Sequence, residues 1–140
     1  MNRPLRASLI GSSRIADIHA AAMRSTGIEL VGVYSTDAAS AAAFAQKHRI
    51  RCYRSPDELM TDDIDFAAVC TPSGTHCALA VSLMEHGKHA VTEKPVVLTR
   101  KEAVRLLETD TTHGRILIRI PRSLRGLRHS AGTEAAIERK

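Results

Sequence analysis

Apolar residues recur along this chain in two rhythms: short, nearly continuous runs and longer stretches with helical spacing. The runs LRASLI (5–10), ELVGVY (29–34), FAAVCT (66–71), HAVT (89–92) and RILIRI (115–120) have strand length. Residues 51–53 make a shorter sixth candidate, and FAAVCT has the apolar continuity of a strand buried on both faces. Between them the spacing predicts helices. Residues 14–25 place Ile15, Ile18, Ala22 and Met23 toward one face. Asp37 is placed to cap an alanine-rich helix reaching about His48, and SPDELM (55–60) describes a short helix start. Thr75–His86, with Ser73 or Thr75 as cap, should turn Leu79, Leu83 and either Val81 or Met84 inward before Gly87 stops it. Thr99–Glu108 opens with Thr99 and Glu102 in capping-box spacing.

Six strands alternating with helices assemble a parallel sheet through right-handed crossovers. The expected fold is therefore α/β, a doubly wound parallel sheet (Rossmann) of about six strands. It should form a single domain over residues 1–120, followed by a basic C-terminal tail over 121–140, partly disordered. Such sheets bind ligands beyond the carboxyl ends of their strands, where the strand order reverses.

Composition sharpens this picture at three points. Of the 140 residues 44% are apolar, with no Trp, two Phe and two Tyr, so the core must be largely aliphatic. Cys52, Cys70 and Cys77 form no CxxC pair and read as small core residues of a reducing compartment. The net charge of +5 is uneven: residues 1–108 hold 13 Lys/Arg against 12 Asp/Glu, and residues 109–140 hold 7 against 3. The body thus has no broad basic face, and the tail's Arg122, Arg125 and Arg128 come without aromatic residues, which argues against nucleic acid as a partner. Neither a signal peptide nor a membrane span is visible, so a cytoplasmic location is expected, with no membrane partner. His19, His48, His86, His89 and His113 lack metal-ligand spacing, and no metal is expected.

The chemistry concentrates just after strands. GSSRIA (11–16) follows the first: Gly11 allows a tight turn, Ala16 allows close helix–strand packing, and first-turn amides can hold a pyrophosphate. Ser13 stands where a glycine would let the backbone approach the phosphate, which should weaken the site. Alone, GSSRIA describes an ordinary strand-to-helix turn better than a dinucleotide site. After the second strand Ser35 replaces the acid that would bind the ribose of NAD, which leans the choice of NAD or NADP slightly toward NADP, with Arg14 as a possible phosphate partner. TPSGTH (71–76) follows the fourth strand, where the plainest expectation leaves His76 exposed in a first helical turn. TEKP (92–95) follows the fifth. Lys94 could hydrogen-bond a substrate hydroxyl and stabilise charge developing on its oxygen, and Glu93 could fix that lysine or a ribose hydroxyl.

Together, IGSSRIADIHAAAMR, LVGVYSTDAASAAAFAQKH and AAVCTPSGTHCALAVSLMEHGKHAVTEKPVVLT resemble the cofactor domain of the Gfo/Idh/MocA family, named for glucose–fructose oxidoreductase, inositol dehydrogenase and rhizopine catabolism. The resemblance runs from about residue 5 to residue 108. It implies that Gly11, Ser12, Ser13, Arg14 and Ile15 line a pyrophosphate turn, with Ser35 and Thr36 near the adenosine ribose. It also implies Thr71, Pro72, Ser73 and His76 beside a nicotinamide dinucleotide, and Glu93 and Lys94 at its nicotinamide end, Lys94 being the catalytic candidate. In that family a second domain supplies most substrate contacts and a proton-transfer histidine. Residues 121–140 are too few to build it, and nothing around His129 matches that histidine's segment. The expectation is thus an NAD(P)-binding protein, truncated, of an oxidoreductase family acting on sugars, polyols or related hydroxyl compounds. A small polyol or sugar becomes a substrate only if a second domain or partner is supplied. A non-catalytic dinucleotide-binding protein and a non-functional remnant of a truncated gene are the alternatives.

Overall fold

The computed structural model describes residues 3–110 and 116–118. Its elements alternate as β1 (Arg6–Ile10), α1 (Arg14–Ser25), β2 (Glu29–Tyr34), α2 (Ala38–His48), β3 (Arg51–Cys52), α3 (Pro56–Thr61) and β4 (Phe66–Val69). One turn of 3-10 helix (Ser73–Thr75) then leads into α4 (His76–Glu85), β5 (His89–Thr92), α5 (Arg100–Asp110) and β6 (Ile116–Ile118). The strands form one six-stranded sheet in the order β3-β2-β1-β4-β5-β6, and every pairing is parallel. This is the expected doubly wound sheet, reversing direction between β1 and β4. The 121–140 tail, His113 and His129 lie outside the described residues.

Two aliphatic layers sandwich the sheet, as alternation along its central strands requires. Ala7 and Leu9 of β1, with Ala68 and Cys70 at β4, pack on Ala16, Ala20 and Met23 of α1 and Phe44 of α2. Ile10, Ala67 and Val69 pack on the other side against Leu59, Met60, Val81, Leu83 and Met84. Both Val81 and Met84 are fully buried in α4, while Leu79 is only partly covered.

The helix starts are set by local chemistry. Asp37 Oδ1 accepts from the Ser40 amide at 3.0 Å, and Ser55 Oγ accepts from Glu58 at 3.1 Å, with Pro56 opening that helix. Thr99 and Glu102 form the full reciprocal box, each side chain bonding the other's amide at 3.1 Å. Gly87, at φ +71, ends the α4 turn.

Three expectations need correction. The buried face of α1 is Ala16, Ala20 and Met23, whereas Ile18 is 57% exposed and Ala22 is exposed as well. Methyl side chains let the helix lie close to the sheet, and isoleucine's bulk would hold it away. At α4, neither Ser73 nor Thr75 caps with its side chain; Thr75 instead donates to the Pro72 carbonyl at 2.8 Å. Cys52 lies exposed on the edge strand β3, so only Cys70 and Cys77 are core cysteines.

One polar chain crosses the core. Tyr53 donates its hydroxyl proton to Asp62 Oδ2 at 2.8 Å, so the buried Ser8 hydroxyl, 3.1 Å away, must donate to the tyrosine oxygen. Gly32 makes room for this ring, since a Cβ there would collide with Tyr53. Burial, reinforced by the bond to Asp62, pushes the Tyr53 phenol from 10.0 up to about 12. A raised value means the folded state holds this proton more tightly, so the associated stability is complete below pH 10 and is lost as pH rises toward 12. Tyr53→Phe strands the Ser8 hydroxyl and should cost about 1–3 kcal/mol in urea unfolding at neutral pH. Its unfolding free energy should also fall less steeply between pH 10 and 12 than that of the wild type; equal slopes would refute the assignment.

Candidate functional site

A cleft of about 690 Å3 opens at the carboxyl ends of β1, β2 and β4, where the sheet order reverses. Its floor is the β1–α1 turn. Gly11 sits at φ +104, and a Cβ on it would lie 2.6 Å from the Cys70 carbonyl oxygen. Glycine is therefore required twice, for its dihedral and for the close approach. Ser13 adopts an ordinary extended conformation as the residue preceding α1, and its hydroxyl donates to that same Cys70 carbonyl at 3.1 Å. The serine thus fits without the conformational freedom of a glycine, because its side chain is tied to the end of β4.

Ser13 makes no side-chain bond to the first-turn amides of α1, unlike the capping residues of α2, α3 and α5. The Arg14 and Ile15 amides and the positive end of the helix dipole remain available to an anion, while the Ala16 amide donates to the Ser13 carbonyl at 2.9 Å. Ser12 lies beside them, its hydroxyl 2.7 Å from that of Ser40. Ser35, Thr36 and Asp37 make one wall, Thr71 and Pro72 another, and Ala78 and Leu79 add apolar surface.

Arg14 and Ile15 open α1 but do not line this cleft, and neither does Ser73. His76 is not exposed; it is 2% accessible. Its Nδ1 lies 2.8 Å from the Pro95 carbonyl oxygen and its Nε2 2.7 Å from that of Thr71. The ring therefore sits behind the cleft wall as a strut between two loops. Glu93 does not hold Lys94: its Oε1 lies 2.9 Å from His19 Nε2 on α1. Lys94 is exposed, has no hydrogen bond among the described residues, and is joined to Pro95 by a cis peptide. Directly before Glu93, the buried Thr92 Oγ1 has no hydrogen-bond partner among the described residues. Among the described residues no cluster of His, Cys, Asp or Glu could hold a metal. Cys70 reaches the cleft, but burial first and the Glu93 charge second push its thiol up to about 12, which makes it an inert wall rather than a nucleophile.

Sequence reading missed several cleft residues. Ala78 and Leu79 read only as helix residues, Tyr34 as a strand end, Pro56 as a helix start and Thr75 as a helix cap, while Ser40 carried no motif. Asp37 was legible as a cap, and the structure places it in the cleft wall too. The partnership of His19 with Glu93 spans 74 positions and had no local signal.

A doubly wound parallel sheet with a glycine turn, an open helix start and a cleft at the reversal point defines a nucleotide-binding α/β domain. The chain belongs to the GFO_IDH_MocA oxidoreductase family, whose NAD-binding Rossmann-fold model matches residues 5–119. It is similar to UDP-N-acetylglucosamine 3-dehydrogenase of Acidithiobacillus ferrooxidans, with 33% identity over 103 residues, covering 74% of this chain and 32% of that protein. It is also similar to an NADP-dependent scyllo-inositol 2-dehydrogenase of Bacillus subtilis, 30% identical over 117 residues, or 81% and 36% of the two chains. The WlbA dehydrogenase of Bordetella pertussis, solved with NADH and UDP-GlcNAcA, matches with a TM-score of 0.78 at 26% identity, covering 89% of this chain and 39% of that one. The chain spans about a third of the length of the curated relatives it matches. None of its helices, among the described residues, is long and apolar enough to cross a membrane.

Gly11→Ala meets both the unfavourable dihedral and the Cys70 carbonyl. It should destabilise the fold by at least about 1–3 kcal/mol, read as a lowered urea midpoint. An unchanged midpoint would show that the turn relaxes freely.

Proposed function

We propose that this chain binds a nicotinamide dinucleotide across the carboxyl ends of β1, β2, β4 and β5, as the cofactor half of an oxidoreductase acting on sugars, polyols or related hydroxyl compounds. The observation that carries the reading is the cleft floored by Gly11, whose missing Cβ lets the turn cross tightly over the Cys70 carbonyl and sets the uncapped start of α1 at the cleft. Ser12, Ser13 and the α1 amides would hold the pyrophosphate, Ser35 and Thr36 the adenosine ribose, and Pro72, Ala78 and Leu79 offer the apolar surface an adenine needs. Arg14 and Ile15 take part through their amides. Ser73, at the start of the 3-10 turn, stays a candidate for the far rim.

The bound nicotinamide would supply or accept hydride. Lys94, exposed and unpaired at the β5 end, would donate to the substrate hydroxyl oxygen and stabilise negative charge on it. The names of the relatives support sugars and polyols as the substrate class. Turnover on such substrates belongs to this domain together with a substrate-binding domain or partner, because hydride transfer needs the reacting carbon positioned and water excluded. The free cysteines support a reducing, cytoplasmic setting.

Cofactor choice follows from two neighbours in one wall. Ser35 offers a hydroxyl where an acid would exclude a 2′-phosphate, which favours NADP, while the Asp37 carboxylate in the same cleft works against it. We infer that both cofactors are accepted, with preferences within about tenfold, or 1.4 kcal/mol. Calorimetry on the folded chain should show binding of NAD and NADP at up to millimolar concentration. Ser35→Asp should move preference toward NAD, and Asp37→Asn, which keeps the helix cap, should move it toward NADP. Absence of heat with both cofactors on folded protein would refute the dinucleotide reading.

A further inference from the structure

We propose that His19 and His76 are positioning residues for Lys94, acting from opposite sides of it. The inference rests on the dinucleotide reading above and adds what holds the Glu-Lys-Pro turn in place. Lys94 makes no hydrogen bond of its own among the described residues, so its location is set by the residues on either side. Each is tied by a histidine. Before it, the Glu93 carboxylate is engaged by His19 Nε2 at 2.9 Å, a half-buried contact reaching across from α1. After it, the Pro95 carbonyl is engaged by His76 Nδ1 at 2.8 Å.

The two ties do different work. A free carboxylate one residue away could draw the long, flexible lysine side chain to itself. By occupying Glu93, His19 keeps Lys94 unpaired and its protons available to a ligand. His76 sets distance instead. The same ring that holds Pro95 also holds the Thr71 carbonyl at 2.7 Å, and Thr71 lines the cleft. The Lys94 backbone is thereby held at a fixed offset from the cleft wall. Both His76 partners are carbonyl oxygens, and the ring is wedged between them, with the tautomer deciding which of the two receives its N–H. His76 is 2% accessible, which leaves no room for water to replace a lost donor without rearrangement. Neither histidine reaches the cleft lining, so each acts through the turn.

The test compares NAD with ADP-ribose, which lacks the nicotinamide, on the full 140-residue chain. The ratio of their dissociation constants, measured by calorimetry, reads what the β5 end adds to binding. In the wild type NAD should bind more tightly, because the Lys94 ammonium, before any substrate is present, would donate to the carboxamide oxygen of the nicotinamide, and Lys94→Ala should lower that advantage at least threefold. His19→Ala and His76→Leu should lower it to the same extent, while His19→Gln and His76→Asn, which retain a donor near Nε2 and Nδ1 respectively, should restore part of it. In the Lys94→Ala background none of these changes should alter the ratio further. Should His76→Leu fail to fold, the exposed-side His19→Ala and the donor-retaining His76→Asn carry the same comparison. A loss that persists in the Lys94→Ala background, or an unchanged ratio in folded histidine variants, would overturn the proposal. A wild-type chain that binds ADP-ribose and NAD equally would also overturn it while leaving the cleft assignment intact. Binding of neither ligand would instead remove the dinucleotide reading on which the proposal stands.

Discussion

The close crossing of Gly11 over the Cys70 carbonyl governs what this sheet can do. β1 and β4 are hydrogen-bonded neighbours, and the Cys70 amide still donates to the Ile10 carbonyl at 2.7 Å just past the paired residues. Beyond that point the two chains must part, because α1 lies over one face of the sheet and α4 over the other. A side chain at Gly11 would force them apart earlier and displace the start of α1. With hydrogen as its only side chain, the turn stays tight, α1 begins within three residues, and its first amides face the gap between the departing chains. The Ser13 hydroxyl then fastens α1 to the same Cys70 carbonyl. A departure from the usual glycine pattern is thereby absorbed into the fold.

Around this crossing, polar side chains bond backbone in each loop that borders the cleft. Asp37 holds the Ser40 amide, Thr75 holds the Pro72 carbonyl, and His76 joins Thr71 to Pro95. Such bonds fix loop shape more strictly than apolar contact does, since each has a direction as well as a distance. The side chain proposed for substrate contact differs from them: Lys94 is exposed. Rigid supports carry adaptable heads, an arrangement suited to a site that must hold a ligand in register with a second reactant.

What could be read from sequence divides along the same physical line. Interactions closed within a few residues left clear marks: the Asp37 and Ser55 caps, the Thr99–Glu102 box and the Gly11 turn all stand where spacing placed them. The parallel sheet was legible because strands alternate with helices and FAAVCT is apolar almost throughout, as a strand covered on both faces is. Ile18 misled because hydrophobicity favours burying it, while the helix–sheet distance selects Ala16 and Ala20. His76 misled for a related reason, since its two acceptors lie on separate loops that only the tertiary fold brings together. Of the dinucleotide-site residues inferred by resemblance, Gly11, Ser12, Ser13, Ser35, Thr36, Thr71 and Pro72 meet in one cleft, whereas His76 and Glu93 serve as supports or are tied to one.

Asp37 shows how a structural duty can temper a functional one. Its Oδ1 is committed to the Ser40 amide, which orients the carboxylate toward the start of α2. The positive end of that helix dipole offsets part of its charge within the first turn. The Ser40 hydroxyl is in turn bonded to Ser12, linking the cap to the β1–α1 turn. An acid at Ser35 would present its charge without such an offset. The cleft thus contains a carboxylate, yet one whose field toward a ligand is weakened by the helix it caps. On the proposed reading, cofactor discrimination in this domain would be shallow, because the residue available to discriminate is also needed to begin α2.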